Sequence, residues 1–462
     1  MLHVGEAYME QIVRHSHMKW ILCLCVTLTS DWGSTLAATI RVDSIAALNT
    51  AVTQAKPGDE VVLVDGTYRD AEIRLQGYGL EGVPILVRAE TVGGVTLTGE
   101  SILRIWGKLV TVQGFSFVNG HSGSADSVQF RRDSDDVAMD CRLTRCSIIN
   151  FNSPDGISNR WVSLFGRRNR IDHCYFAGKT THGPTLVVWL DGRPNHHRID
   201  HNHFGPRPDL GANGGETIRV GDSKTSLTSS ATVVEHNLFD ECDGEIEVIS
   251  NKSCDNVYRD NTFDNCAGML TLRHGDRCLV VNNVFIGRGK RGGGGVRVIG
   301  AEHTVIGNHM QDLIGTDDFR AALSIMNAQP NSPLNGYTLV RDARITHNVI
   351  VECNVPLVIG TGAGERGRTL PPRNLILSHN LFYNRKTHAT FTVLDQPEGF
   401  DAECNRVVGE CAPAFLNPIQ LRDWDIQTDN RGLRIPAERS GLSEVGYAPH
   451  RLTPAEVGPN AP

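Results

Sequence analysis

The chain has 462 residues, a formal net charge of −7, 47 glycines and only 6% aromatic residues. With an apolar fraction of 40%, it has ample material for a globular core. Its acidic balance gives no reason to expect a nucleic-acid partner.

In chain order, Met18 to Ala37 reads as a secretory signal: Lys19, an apolar run WILCLCVTL, then small and polar residues up to Leu36-Ala37-Ala38. The run is too short to span a membrane. Met1 to His17 carry no pattern, so Met18 is the expected natural start, and the mature protein is expected to be secreted or periplasmic, without membrane attachment. Of 12 cysteines, Cys23 and Cys25 fall inside the signal. The ten that remain are too few for a disulfide scaffold in a chain this long. Cys404 and Cys411 are the most plausible bridge, and Cys242, Cys266 and Cys353 recur at one place in a repeat, as a buried ladder of thiols would.

From Asp43 to Ala55, Ile45, Leu48, Ala51, Val52 and Ala55 share one helical face behind Ser44 as N-cap, which predicts one capping helix. A turn at Pro57-Gly58 and a strand, VVLV, follow. Beyond them the helical signal ends and a repeat begins. Phe117, Ile149, Phe176, Phe204, Phe239, Phe263, Phe285, Met310, Ile350 and Phe382 each close a short unit such as HNHF, HNLF, DNTF or NNVF. The units recur at intervals of roughly 22 to 40 residues, the range of solenoids.

Stacked units would form an asparagine ladder and an apolar ladder inside a coil, and the intervals hold Gly, Asn, Asp and Ser rather than helix formers. The reading is an all-β, single-domain, right-handed parallel β-helix over residues 38–415, its handedness expected from crossover rules. Residues 1–37 precede the domain, and a Pro-rich tail, 416–462, is expected to cover the last coils. The longest insertions follow Phe204 and Met310, with those after Phe117 and Ile350 next, and could wall a groove.

Three strand ends carry ionisable residues where a plain solvated face would serve: NGGETIRVG, CDGEIEVISNKS and TLRHGDR. A period of two places Glu245 and Glu247 on one face, with Thr217 and Arg219 outward on the strand before and Thr271 and Arg273 outward on the strand after. Asn213, Glu216, Glu245 and Glu247 offer hard oxygen ligands that suit calcium better than zinc. A solvated ladder of charges is the plain alternative. Lys252 lies just past the paired glutamates, where a cation would disfavour its ammonium form and make it a candidate base. Taken alone, it reads as a surface lysine. Arg273, His274 and Arg297 continue the row, and arginine forks suit the carboxylates of an acidic polymer.

The stretch NHHRIDHNHFGPRPDLGANGGETIRVG, with ECDGEIEVISNKS, TLRHGDRCLVVNNVF and GVRVIG, resembles polysaccharide lyase family 6, the alginate lyase and chondroitinase B family. The resemblance covers roughly Asp59 to Tyr383 and implies the same β-helix. It implies calcium ligation by Asn213, Glu216, Glu245 and Glu247, a base at Lys252 and an acid at Arg273. It implies substrate binding by Arg219, His274 and Arg297. The implied activity is calcium-dependent β-elimination on a uronate polysaccharide by a monomer, with alginate ahead of dermatan sulfate. A glycoside hydrolase, which needs two carboxylates about 5 to 9.5 Å apart, and a non-catalytic carbohydrate-binding β-helix are the rival readings.

Overall fold

The structure is a computed structural model and describes residues 37–385, 390–409, 414–437 and 447–461. The expected signal segment and Cys411 lie outside the described residues, so neither the signal nor the Cys404–Cys411 pairing is addressed by it. The capping helix spans Ile45–Gln54. The Ser44 hydroxyl accepts from the Ala47 N–H at 3.3 Å, and Leu48 and Val52 are fully buried against the first coils. No helix among the described residues is long and apolar enough to cross a membrane.

The coils wind through three long parallel sheets of 14, 14 and 13 strands, and a two-stranded antiparallel pair, Ile426–Thr428 with Arg434–Pro436, lies apart from them. Each coil visits a first sheet (Thr39–Val42 through Glu398–Glu403), a second (Gly66–Arg69 through Ile419–Leu421) and a third (Glu72–Tyr78 through Phe391–Val393). The fold is a parallel β-helix. The repeated motif is the corner between the first and second sheets. Its first residue adopts the left-handed region, with φ of 54° at His201, 52° at His236, 54° at Asp260 and 57° at His347, which Asn, Asp and His tolerate better than most residues. The asparagine that follows turns into the coil. The amide Nδ2 of Asn202, Asn237, Asn261, Asn283, Asn308, Asn348 and Asn380 donates to Oδ1 of the next asparagine, ending at Asn405, at 2.9 to 3.1 Å. The ladder thereby satisfies buried corner amides that the sheets leave unpaired.

Two residues further on, the apolar side chain enters the core. Phe176, Phe204, Phe239, Phe263 and Phe285 form one column with successive centroid separations of 5.2, 5.0, 4.6 and 4.5 Å. One motif residue is corrected by the register. Ile148, not Ile149, pairs with both Phe117 and Phe176. The corner residue of that unit is Arg145, at φ 51°, so the unit is RCSI, with Cys146 in the asparagine place. Cys242, Cys266 and Cys353 are free and buried, and burial raises the Cys266 and Cys353 thiols.

The tail reaches farther than a cover for the last coils. Tyr447 packs on Val349, Val351 and Leu381, and Leu452 and Val457 on Leu238. Arg145 donates to the Pro459 carbonyl at 2.9 Å. Apolar residues on the outer face of the second sheet need this cover, which the tail supplies by running back along the coils. The outer face of the third sheet is the floor of a groove. Loops such as 205–217 enter that sheet on one side, and loops such as 327–343 leave it on the other.

Candidate active site

Four consecutive strands of the third sheet build the site: Ile218–Gly221, Glu247–Lys252, Met269–His274 and Val296–Val298. Arg219, Ser250, Thr271 and Arg297 pair in one outward row. Acidic and basic side chains meet on these strands, but not by plain alternation. Glu247 and Lys252 are five residues apart, an odd spacing that on a regular strand would face them oppositely. A register irregularity at Val248 absorbs one residue, leaving Val248 and Ile249 both in the core. A second one makes Arg273 the extra residue between Leu272 and His274, so that Lys252 pairs with His274. Such bulges re-aim side chains. Here they bring Glu247, Lys252 and Arg273 to the same groove.

Lys252 Nζ lies 3.9 Å from Glu216 Oε1. Glu247 accepts from Arg297 and from the Ser250 hydroxyl. Glu245 precedes the strand, where one of its oxygens accepts from the Gly214 N–H at 3.2 Å. Burial, with the charges of Glu216 and Glu247 added, raises the Glu245 carboxyl well above the usual range. The other Glu245 oxygen and Glu216 Oε2 are buried with no hydrogen-bond partner among the described residues. Asn213 is exposed in the adjoining loop. Among the described residues no group of three or more His, Cys, Asp or Glu side chains is placed to hold a metal ion by itself. The unpartnered Glu216 and Glu245 oxygens are hard donors of the kind calcium takes.

Arg273 donates to the carbonyls of Gly336 at 2.7 Å and Asn335 at 3.3 Å, and its guanidinium lies 4.3 Å from the Tyr337 ring centre. Burial lowers the Arg273 pKa. His274 is buried beside it, with Nδ1 3.3 Å from Arg273 Nη1 and Nε2 3.4 Å from the Ser223 hydroxyl. Burial first, then the charges of Arg273 and Lys252, push His274 down to about 3, so its imidazole is neutral at neutral pH. Burial likewise lowers Arg219, which lies 5.1 Å from the Trp189 ring.

The structure thus gathers Glu216, Arg219, Glu245, Glu247, Lys252, Arg273, His274 and Arg297 in one groove, with Asn213 in a loop at its rim. Sequence reasoning missed Trp189 and Tyr337. Neither belongs to the repeated motif, and the only signal for Tyr337 is its place in the long insertion after Met310.

A family model described as chondroitinase B matches residues 42–420. The chain belongs to the chondroitinase B family, polysaccharide lyase family 6. Among solved structures of this family, the alginate lyase AlyGC is 38% identical, with a TM-score of 0.86 over 91% of this chain. The present chain spans only 58% of AlyGC. A mannuronic acid specific family 6 lyase from human gut microbiota is 33% identical, with a TM-score of 0.76 over 84% of this chain and 92% of its own. A further family 6 alginate lyase, solved with a trisaccharide, is 24% identical with a TM-score of 0.77 over 92% of this chain and 96% of its own, a likeness of fold. No curated protein matches the sequence significantly.

Proposed function

We propose that this protein is a calcium-dependent polysaccharide lyase that cleaves alginate by β-elimination to give unsaturated oligosaccharides. The observation that carries the reading is the pairing of Lys252 with His274 beside Arg273, next to two carboxylates, Glu216 and Glu245, that each keep a buried oxygen without a hydrogen-bond partner among the described residues. The proton on the carbon beside a uronate carboxyl is weakly acidic, and removing it builds charge on that carboxyl. Bound by Asn213, Glu216, Glu245 and Glu247, calcium would neutralise this charge.

Lys252 takes the proton. The C–O bond to the departing sugar breaks as the double bond forms, and Arg273 supplies the proton, directly or through a water, to the glycosidic oxygen. Its burial favours that donation, since it lowers the pKa of an otherwise very weak acid. Neutral His274 contributes hydrogen bonding to substrate rather than charge. Arg219, backed by Trp189, and Arg297 hold neighbouring carboxylates. Arg297 engages Glu247, which leaves that glutamate badly placed to act as acid or base in a hydrolase.

The signal-like segment supports a secreted or periplasmic enzyme. A second substrate reading, dermatan sulfate, draws on the description of the family model. Incubation with alginate and with dermatan sulfate, followed by ultraviolet absorbance, tests the proposal. Absorbance growing with alginate is expected. Growth with dermatan sulfate alone would transfer the activity to that polymer, and cleavage of either without absorbance would mean hydrolysis.

A further inference from the structure

The groove floor does not stop at the site. The outward row that holds Ser250 and Arg219 continues toward the N-terminus through Val187, Ser163 and Gln129 to Arg104. Arg104 is five strand spacings, about 24 Å, from Ser250. The way between is lined with rings and guanidinium groups. Arg219 lies over Trp189, Trp189 stacks on Phe165 at 5.9 Å, and Arg131 sits 3.6 Å from the Phe165 ring centre.

At the far end, the capping helix and the first strands of the third sheet flank an open cavity of about 440 Å³, which Arg74, Arg104, Trp106 and Arg132 help to line. Two of its arginines are already paired, Arg74 with Glu72 and Arg132 with Asp133 and Asp136. Arg104 is not: its Nε is buried with no hydrogen-bond partner among the described residues. Trp106 is 6% exposed, and its indole N–H is likewise buried and unpartnered. Buried donors left unsatisfied are costly, and a wall that offers two of them beside a ring lacks a ligand rich in acceptors.

We propose that this cavity is a distal binding site for an anionic sugar unit of the same polymer whose cleavage is placed at Lys252. The Arg104 guanidinium takes a uronate carboxylate, the Trp106 N–H a sugar hydroxyl, and the Phe165–Trp189 strip carries the chain between the two sites. The inference rests on the uronate-lyase reading and extends it: the enzyme grips a long chain at two places, so polymer binds more tightly than short fragments.

The test is calorimetric titration of the full chain carrying Lys252→Ala, which binds without turnover, against sodium alginate and against an alginate trisaccharide. Adding Arg104→Gln, or Trp106→Phe, which keeps an aromatic six-membered ring but removes the N–H donor with the rest of the indole, is expected to weaken polymer binding about tenfold. The trisaccharide, too short to reach both ends of the row, keeps its affinity. Unchanged polymer affinity in both variants overturns the distal site and leaves the reading at Lys252 intact. Equal weakening of the trisaccharide also overturns it, since the substitutions then act on the Lys252 site. Failure of the Lys252→Ala protein to bind either ligand overturns the alginate reading and the distal site with it.

Discussion

Lys252 separates an enzyme from a binder. Its side chain approaches Glu216 yet supplies no hydrogen bond to the scaffold among the described residues, so Lys252→Ala should leave the coil folded. Turnover on alginate is expected to fall by roughly two to four powers of ten, the usual worth of a general base, with polymer affinity retained. Elimination near the wild-type rate would move the base to another residue, with His274 the first to test. The carboxylates make a second expectation: chelation should abolish turnover and added calcium restore it, read by the same absorbance assay. Full activity in chelator would remove calcium from the chemistry. The grouping of these residues was legible in the sequence because ionisable groups flank three successive strands of the third sheet. What was not read is the odd spacing of Glu247 and Lys252, which already required a bulge if both were to face the groove. Trp189 and Tyr337 gave no such signal, for an aromatic in a loop is recognised only when the fold sets it over an arginine.

At the scale of the element, the corner unit was legible because it is local and repeats. A residue that accepts positive φ, an asparagine or cysteine, a variable residue and an apolar one follow each other within four positions. The slip at Ile149 arose where the unit is spelled RCSI and an extra isoleucine follows. The central ring of the column carries a clear cost: Phe239→Ala should destabilise the protein by about 3 to 5 kcal/mol in denaturant unfolding, since rings on both sides hold the cavity open. Asn261→Ala should cost about 1 to 3 kcal/mol, because both the N–H and Nδ2 of Asn237 then lose the oxygen they share. A loss below half a kcal/mol would mean that water replaces the amide.

The whole molecule carries a second ladder, outside the coil on the first sheet. Arg142 pairs with Asp172, Arg170 with Asp200, and Arg198 and Arg259 with Glu235. Burial alone would raise Asp172, but the hydrogen bonds of Arg142 and His173 outweigh it and hold the carboxyl well below the usual range. Asp200 is lowered in the same way, burial being outweighed by His201 and Arg170. Because both carboxyls bind protons less readily folded than unfolded, their contribution is full above the unfolded value near 4 and is lost as pH falls below it. The denaturation midpoint should therefore begin to drop near pH 5 and keep falling below pH 3, and Asp172→Asn should flatten that drop while costing about 1 to 3 kcal/mol at pH 7. Along the full length of the coil, the two irregularities at Val248 and Arg273 act as half-period phase slips of opposite sign. One strand gains a residue, its neighbour gains one in return, and the adjoining strands on either side pair without offset, the next irregularity in this sheet coming only at Ile325/Met326. No net displacement passes to the immediate neighbours: the distortion that aims the chemistry is confined to a single pair of strands.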